Sequence, residues 1–259
     1  MDALTLQVAL KEKIRAREAV LGVFVKTPAL HIVEVLSNCD LDFIVLDTEH
    51  APFSIDNLDQ CLLAARANNL PALVRVADSS SSEILRALDL GAAGIFVPHI
   101  KSAETALAAI AATRYMPGER GFSASHRAGG YGSIPIDQYI EASDKSTIIM
   151  GQIEDVEAVE NIDEIAGVAE LDALFIGPAD LSVSYGKTDW NDPAVEEAIE
   201  KVSKAALKAG KAIGIFQSST EHMARYQDLG ISMFTISTDQ ALLTQAVRSV
   251  SNDFKAITK

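Results

Sequence analysis

Residues 43–67 read FIVLDTEHAPFSIDNLDQCLLAARA, and this stretch contains the repeating unit that decides the fold. Its first five residues, Phe43–Asp47, are apolar up to the last one, which is typical of a short strand covered on both faces. In Ile55–Ala67 the apolar residues recur at helical spacing instead. A buried strand, a polar loop and an amphipathic helix make one βα unit of a parallel sheet.

The same alternation continues along the chain and yields eight strand candidates. They are Leu21–Lys26, Phe43–Asp47, Ala72–Val76, Gly94–Val97, Ile148–Ile153, Ala173–Ile176, Ala212–Phe216 and Met233–Ser237. The clearest helical patterns are Ile55–Ala67, Ser82–Leu90, Ala103–Thr113, Ala194–Ala209 and Thr220–Leu229. Eight strands with intervening helices predict a (β/α)8 TIM barrel of the α/β class, formed as a single domain by residues 1–259. A doubly wound open sheet is the alternative, but no Gly-x-Gly-x-x-Gly follows the first strand.

The composition narrows the class of function. The formal net charge is −14, which argues against a nucleic-acid-binding surface because such surfaces are basic. No stretch approaches the roughly 18 apolar residues of a membrane span. The N-terminus is predicted to be an amphipathic helix and lacks the features of a signal peptide. Two cysteines, Cys39 and Cys61, are too few for a disulfide framework, so we expect reduced thiols in a cytoplasmic protein.

Polar residues at the ends of the predicted strands are the candidates for chemistry, because barrel active sites lie there. Glu154 and Asp180 follow neighbouring strands, and two carboxylates suit a hard cation such as Mg²⁺ or Mn²⁺. Either acid alone is as readily a helix cap or part of an ion pair. The run 177–182, GPADLS, is a turn entering a helix, whose backbone N–H groups can hold a carboxylate.

Arg75 and His50 are the candidate catalytic side chains. Arg75 ends a buried strand and can neutralise an oxyanion, although a buried ion pair with Asp47 or Glu49 is the alternative. His50 titrates near neutral pH and can act as a general base, although a loop histidine is more often structural. His99 has a weaker context and is interpreted as structural.

A lysine could activate a ketone substrate as a Schiff base, and this would replace activation by a metal. This route needs a desolvated lysine at the barrel mouth. Lys26 and Lys101 lie near strand ends, and neither has an evident environment that would activate it. The metal route is therefore preferred.

One connection, from about residue 114 to 145, is longer than a compact domain usually contains. It holds MPGER at 116–120 and SHRAGGYG at 125–132. Long loops are generally functional or disordered, and Arg, His and Tyr among glycines favour a substrate-facing loop. We therefore expect Arg120–Gly132 to fold back over the barrel mouth, where His126 and Arg127 would contact a substrate.

Several short motifs also occur in a fixed order over nearly the whole chain. They are Asp47-x-Glu49-His50, Val74-Arg75, Leu88-Asp89-x-Gly91, Val97-Pro98, Arg114-Tyr115-x-Pro117, Arg120-Gly121, Gln152-Ile153-Glu154 and the run FIGPADLS at 175–182. Together they resemble the HpcH/HpaI family of class II pyruvate aldolases. The stretch from Arg120 to Ala128 resembles the branch that cleaves 2-keto-3-deoxy sugar acids such as 2-dehydro-3-deoxyglucarate, or 2,4-dihydroxyhept-2-ene-1,7-dioate.

The resemblance implies a binding site for metal and substrate. Glu154 and Asp180 would ligate a divalent cation, with Mg²⁺ or Mn²⁺ preferred and Co²⁺ or Zn²⁺ as alternatives. Gln152 and the backbone at Ala179 and Asp180 would contact the keto acid, and Arg127 is assigned to the aldehyde side.

The resemblance also implies catalytic roles. His50 would be the base, Asp89 would raise its basicity across a subunit interface, and Arg75 would stabilise the enolate. The implied reaction is the reversible cleavage of a 4-hydroxy-2-keto acid to pyruvate and an aldehyde. The implied assembly is a homo-oligomer, a hexamer built as a trimer of dimers, with a swapped C-terminal helix.

The sequence departs from the family pattern at two places, and two other functions remain as alternatives. The chain has Thr48 where many relatives have glycine, and 235–239 replaces a more glycine-containing run, which leaves the choice of aldehyde open. An acyl-CoA lyase would need a basic groove, which the acidic sequence does not offer. A non-catalytic keto-acid-binding barrel would need a broken metal pair, and both acids are present.

Overall fold

Eight parallel strands close into a barrel in the computed structural model, which describes residues 3–258. The strands are β1 Val20–Val25, β2 Phe43–Asp47, β3 Ala72–Arg75, β4 Gly94–Val97, β5 Ile148–Ile153, β6 Ala173–Ile176, β7 Ala212–Gln217 and β8 Met233–Thr238. Each lies next to its neighbour in sequence order, and β8 pairs with β1. The predicted (β/α)8 barrel is confirmed, and no strand boundary differs from its predicted position by more than one residue.

Twelve α-helices are found within the described residues. They are α1 Ala3–Arg15, α2 Leu30–Leu36, α3 Ile55–Ala67, α4 Ser81–Asp89, α5 Ala103–Thr113, α6 Ile136–Ser146, α7 Val156–Glu160, α8 Ile162–Ala166, α9 Pro178–Ser184, α10 Pro193–Lys208, α11 Met223–Asp228 and α12 Asp239–Ile257. Local chemistry fixes several starts: the Ser54 hydroxyl accepts the Asn57 N–H before α3, and Asp192 does the same for Ala194 before α10. The helix predicted from Thr220 is shorter than expected, because 218–222 form bends and turns before α11.

Aromatic rings fill the barrel interior. Phe96 and Phe175 meet edge to face with 4.8 Å between ring centroids, and Phe24 lies 6.0 Å from Phe96. Gly22 of β1 lies near the N-terminal ends of the strands, where the Phe43 ring of β2 packs against its backbone. A Cβ at Gly22 would stand 2.3 Å from the Phe43 ring, so only glycine fits this position.

Helix α1 closes the N-terminal end of the barrel. Its Leu10 and Ile14 are buried and belong to the interior cluster of the barrel. Lys11 and Arg15 both pair with the fully buried Asp172, at 3.4 Å and 2.5 Å. Helix α1 therefore covers one end of the barrel, and the opposite end, the mouth, is where the strands finish.

The long connection between α5 and α6 packs on the outer wall of the barrel. Arg127 pairs with the Asp59 carboxylate of α3 at 2.8 Å, and the Ala128 N–H donates to the Asp89 carbonyl at the end of α4. Arg120 is buried and pairs with the Asp89 carboxylate at 2.7 Å. The expectation that Arg120–Gly132 folds back over the mouth of its own barrel is wrong. Arg127 pairs with a carboxylate on α3 and Arg120 with one on α4, and these pairs hold the loop on the outer wall.

Helix α12 contributes almost nothing to the barrel core. Asp239 is its only buried residue among those described, and it accepts the N–H groups of Lys26 and Thr27 at 2.7 and 3.2 Å. The helix then exposes an apolar stripe spaced alternately four and three residues apart. The stripe consists of Leu243, Val247, Val250, Phe254 and Ile257.

Two further features concern thiols and hydropathy. Cys39 is exposed and Cys61 is buried, and both are free thiols. Burial raises the pKa of Cys61 to about 11. Within residues 3–258, no helix combines the length and the apolar character needed to cross a membrane.

Candidate active site

The barrel mouth collects most of the residues that the sequence singled out. Arg75, Gln152 and Glu154 lie on or directly after β3 and β5, and His50 follows β2 in the loop that leads to α3. Asp180 lies in the first turn of α9, after β6. These positions converge because the strands are parallel and all end at the same rim.

Arg75 is held rigidly at the centre of the mouth. The register places Asp47 of β2 beside it, and the guanidinium donates from Nε and Nη2 to the two oxygens of Asp47 at 2.9 and 2.7 Å. The guanidinium also stacks 4.8 Å above the Phe24 ring. Burial alone would raise the pKa of Asp47, but the hydrogen bonds and charge of Arg75 outweigh it and lower that pKa. The predicted alternative for Arg75, an ion pair with Asp47, is therefore present.

This ion pair leaves part of Arg75 available. Its Nε lies 3.3 Å from Glu49, while Nη1 makes no hydrogen bond with the described residues. A forked cation fixed on one side by a carboxylate can present its remaining nitrogen to a substrate oxygen. The structural and catalytic interpretations of Arg75 are compatible.

Glu49, His99 and Glu154 form the tightest group of potential metal ligands within the described part of the chain. One donor atom from each lies within 4.8 Å of the other two. His99 is at φ 53°, in the left-handed region, and its N–H donates to Glu154 Oε1 at 2.9 Å. Its ring Nδ1 lies 2.9 Å from Asp155 and 3.4 Å from Glu154.

The charges in this group perturb one another. Burial raises the pKa of Glu154, and the nearby carboxylates of Asp180 and Glu49 raise it further. The pKa of Glu49 is raised by burial too, with Asp180 again contributing. Burial would lower the pKa of His99, but its hydrogen bond to Asp155 and the charge of Glu154 raise it. Asp180 is therefore close enough to act on both glutamates electrostatically, although it is exposed and lies outside the tightest group.

Gln152 and Gly177 complete the floor of the mouth. Gln152 is 2% exposed, and its amide donates to Glu154 while its Oε1 has no partner. A Cβ at Gly177 would stand 3.1 Å from both Gln152 Nε2 and Glu154 Oε2, so this glycine keeps the floor open. The N–H groups of Ala179 and Asp180, in the first turn of α9, have no intrahelical acceptor.

His50 lies at the rim. It is exposed, its N–H donates to Asp47 Oδ1 at 3.2 Å, and its Nε2 lies 3.6 Å from Glu49. The imidazole therefore faces solvent above the Arg75 and Glu49 pair, where a substrate hydroxyl can reach it.

Asp89 and Arg127 are not part of the mouth of their own chain. Asp89 is the last residue of α4, which runs from the mouth back toward the N-terminal end of the barrel. It pairs with Arg120 and lies 3.5 Å from His126 Nε2. Neither residue can therefore serve His50 from within the same chain.

Sequence reasoning did not assign Glu49, His99 and Asp155 to the site. The sequence predicts Glu49 only as a partner of Arg75, and His99 as a structural residue. Their positions directly after β2, β4 and β5 were the available signal, because every strand end of a barrel faces the mouth.

The donor set fits a divalent cation. Three carboxylates, those of Glu49, Glu154 and Asp180, lie near one another. Gln152 Oε1 is buried without a hydrogen bond, and Glu49 Oε2 is too, although Arg75 Nε lies 3.3 Å from it. Buried oxygens without hydrogen-bond donors are satisfied by a bound ion or substrate.

Known proteins support this chemistry. A family model described as HpcH/HpaI aldolase/citrate lyase matches residues 8–246. The chain belongs to this family. A 5-keto-4-deoxy-D-glucarate aldolase of Enterobacter sp. (strain 638) is 33% identical over 247 residues, which cover 95% of this chain and 96% of that protein. A hydroxypyruvate/pyruvate aldolase of Pseudomonas aeruginosa is 33% identical over 248 residues, covering 95% and 92%.

A solved structure agrees over the same length. An HpcH/HpaI aldolase/citrate lyase family protein from Burkholderia cenocepacia superposes with a TM-score of 0.91 at 30% identity and covers 95% of this chain and 99% of its own. The resemblance deduced from the motifs is confirmed. The chain is a class II aldolase, a lyase acting on carbon–carbon bonds, from a metal-dependent family.

Proposed function

We propose that this aldolase reversibly cleaves a 4-hydroxy-2-keto acid of the 2-keto-3-deoxy sugar acid or hydroxy-keto diacid type to pyruvate and an aldehyde. The observation that carries the proposal is the arrangement of Arg75 beside the carboxylates of Glu49 and Glu154. The fixed guanidinium of Arg75 and the carboxylates that would hold a metal ion then face the same small space at the mouth. The sugar-acid and pyruvate aldolases among its relatives support the substrate class.

Glu154 and Asp180 would hold the divalent cation, with Mg²⁺ or Mn²⁺ preferred. When bound, the cation supplies Lewis acidity and a template for the carboxylate and ketone oxygens of the keto acid. Gln152 Oε1 and the N–H groups of Ala179 and Asp180 would complete the binding of the keto-acid end. Gln152 Oε1 makes no hydrogen bond, and the two N–H groups have no acceptor within their helix.

The protein's own residues then move the proton and hold the charge. His50 takes the proton from the C4 hydroxyl, the C3–C4 bond breaks, and the aldehyde leaves. The electron pair of that bond shifts to the C2 oxygen, where the free Nη1 of Arg75 holds the negative charge. Protonation at C3 then gives pyruvate, and the reverse sequence is aldol addition.

A second copy of the chain would complete the site. Asp89 and Arg127 lie on the outer wall, so they can raise the basicity of His50 or contact the aldehyde only across an interface between copies. The exposed stripe of α12 supports a closed homo-oligomer, a hexamer built as a trimer of dimers with swapped C-terminal helices. A cytoplasmic location remains a prediction.

The deciding experiment offers pyruvate and a panel of acidic and neutral aldehydes to the metal-stripped enzyme, with and without Mg²⁺ or Mn²⁺. We expect metal-dependent products detectable by mass, and loss of turnover in Glu154→Gln. Borohydride with pyruvate should trap no adduct, because Lys26 and Lys101 are partly exposed and each pairs with a carboxylate at 3.3 Å. A lysine adduct, or turnover that survives chelation, would contradict the metal mechanism.

A further inference from the structure

The carboxylate group at the mouth contains one nitrogen donor, the imidazole of His99. Its Nδ1 lies 2.9 Å from the Asp155 carboxylate, so the tautomer that carries a proton on Nδ1 donates to Asp155. That tautomer leaves the lone pair of Nε2 unused. A carboxylate behind one ring nitrogen is the usual arrangement for a histidine that binds a metal through the other.

The free nitrogen faces a second donor at a distance that suits a shared ion. His99 Nε2 lies 3.8 Å from Glu49 Oε1, which is too long for a hydrogen bond. Two donors that are each about 2.1 Å from one cation stand roughly 3 to 4 Å apart. The spacing is therefore that of two ligands on one ion.

The backbone of His99 is committed to this position. Its left-handed conformation, at φ 53°, is seldom adopted by a residue with a side chain, and such residues cluster at functional sites. The N–H of the same residue donates to Glu154, so the strained turn ties His99 directly to a candidate ligand.

The local charge balance also calls for a cation. Glu49, Glu154 and Asp155 surround a single imidazole, and Glu49 Oε2 is buried without a hydrogen-bond partner. Arg75 is shared between Asp47 and Glu49, Lys101 pairs with Asp155, and no lysine or arginine of the described residues pairs with Glu154.

We propose that His99 is a nitrogen ligand of the divalent cation, oriented by Asp155 and binding through Nε2. The inference rests on the proposed function, because it concerns the same metal site. A nitrogen donor strengthens binding of Co²⁺, Ni²⁺ and Zn²⁺, whereas Mg²⁺ prefers oxygen. The chain therefore discriminates between metals in a way that a carboxylate-only site cannot.

Variants at two histidines separate this proposal from its alternatives. His99→Asn suits the test, because asparagine tolerates positive φ and replaces the nitrogen donor with an amide. His50→Asn is the matched control, since His50 also lies beside Glu49 but has no carboxylate behind it other than Glu49. Asp155→Asn keeps His99 and removes only the carboxylate that orients its imidazole ring.

The experiment measures dissociation constants for Co²⁺ and Mg²⁺ on the metal-stripped full chain, together with pulsed EPR of the Mn²⁺-loaded protein. We expect His99→Asn to lose the imidazole nitrogen signal and to weaken Co²⁺ binding about 10- to 100-fold, with Mg²⁺ binding changed by less than about threefold. Asp155→Asn should weaken Co²⁺ binding by a smaller factor, and His50→Asn should leave the signal and both affinities in place.

Three outcomes overturn the inference. The first is that the nitrogen signal persists in His99→Asn, and the second is that it disappears in His50→Asn instead. The third is that His99→Asn weakens the binding of both cations equally, which is the result expected if His99 has only a structural role. If the wild-type chain binds no divalent cation, or Glu154→Gln binds as well as wild type, the metal site of the proposed function fails too. The two failures are therefore distinguishable.

Discussion

Arg75 combines a structural and a chemical role in one side chain. Arg75→Lys keeps the positive charge but loses the planar fork that grips Asp47 on one side and leaves Nη1 for substrate on the other. We expect kcat to fall roughly 10²- to 10³-fold, the usual effect of removing an oxyanion donor. Steady-state kinetics would measure the fall, with circular dichroism to verify the fold.

The matched control is Arg86→Lys, because Arg86 is exposed on α4 and pairs with Glu83, away from the mouth. Its turnover should equal that of the wild type. Wild-type turnover in Arg75→Lys would assign Arg75 to the ion pair alone.

His126 is a residue whose protonation is coupled to stability. Burial lowers its pKa from the usual 6.5, and Arg120 lowers it further although Asp89 acts in the opposite direction. Its Nδ1 accepts the Gly129 N–H, which requires the neutral ring. The unfolded chain therefore binds the proton first as pH falls, and the free energy of unfolding decreases between 6.5 and the lowered folded-state pKa.

His126→Gln should flatten that decrease. Denaturant unfolding at about pH 7.5 and about pH 5.5 measures it, and the exposed His31→Gln is the control. An unchanged pH dependence in His126→Gln would show that other groups cause the loss.

At the level of single residues, sequence reasoning identified strand-end residues one at a time but not how they pair. Glu154, Gln152 and Arg75 could be placed at the mouth because each lies within one residue of the end of a strand. The group of Glu49 and His99 was missed because it depends on a left-handed turn after β4 and on distances between separate strands. Neither is visible in local spacing.

Among the elements, β1 carries the clearest packing requirement. Gly22→Ala would place a Cβ 2.3 Å from the Phe43 ring in a closed interior. We expect the free energy of unfolding to fall by about 1 to 3 kcal/mol, the usual cost of overpacking. Gly121→Ala is the control, since its nearest neighbour is 3.9 Å away. A fall in Gly22→Ala no larger than in the control would mean that Phe43 has room to move.

Strands were predicted closely while one loop was misplaced, and both results have a physical cause. A strand buried on both faces is marked by its own apolar run, as in Phe43–Asp47. The loop 120–132 carries no such mark, and its position depends on the pairing of Arg127 with Asp59, which is distant in sequence. Its glycines and cations indicated function without indicating which surface they would cover.

For the whole molecule, the testable feature is the stripe of α12. Phe254→Asp would put a charge within the exposed apolar stripe. We expect this change to reduce the assembly toward monomers in light scattering, because a charge cannot be buried in an apolar interface without a large penalty. Asn252→Asp, on the opposite face of α12, should leave the assembly unchanged. A wild-type chain that is fully active as a monomer would reject the proposed oligomer.

The anchoring of α12 at Asp239 has a consequence for how the enzyme behaves on dilution. Asp239 fixes the backbone of Lys26, whose Nζ lies 3.3 Å from the same Asp47 that orients Arg75. If α12 is released when copies separate, its anchor loosens at a point only two contacts from Arg75. Specific activity and melting temperature would then both fall with total protein concentration, by mass action, and neither would be a fixed property of a single chain.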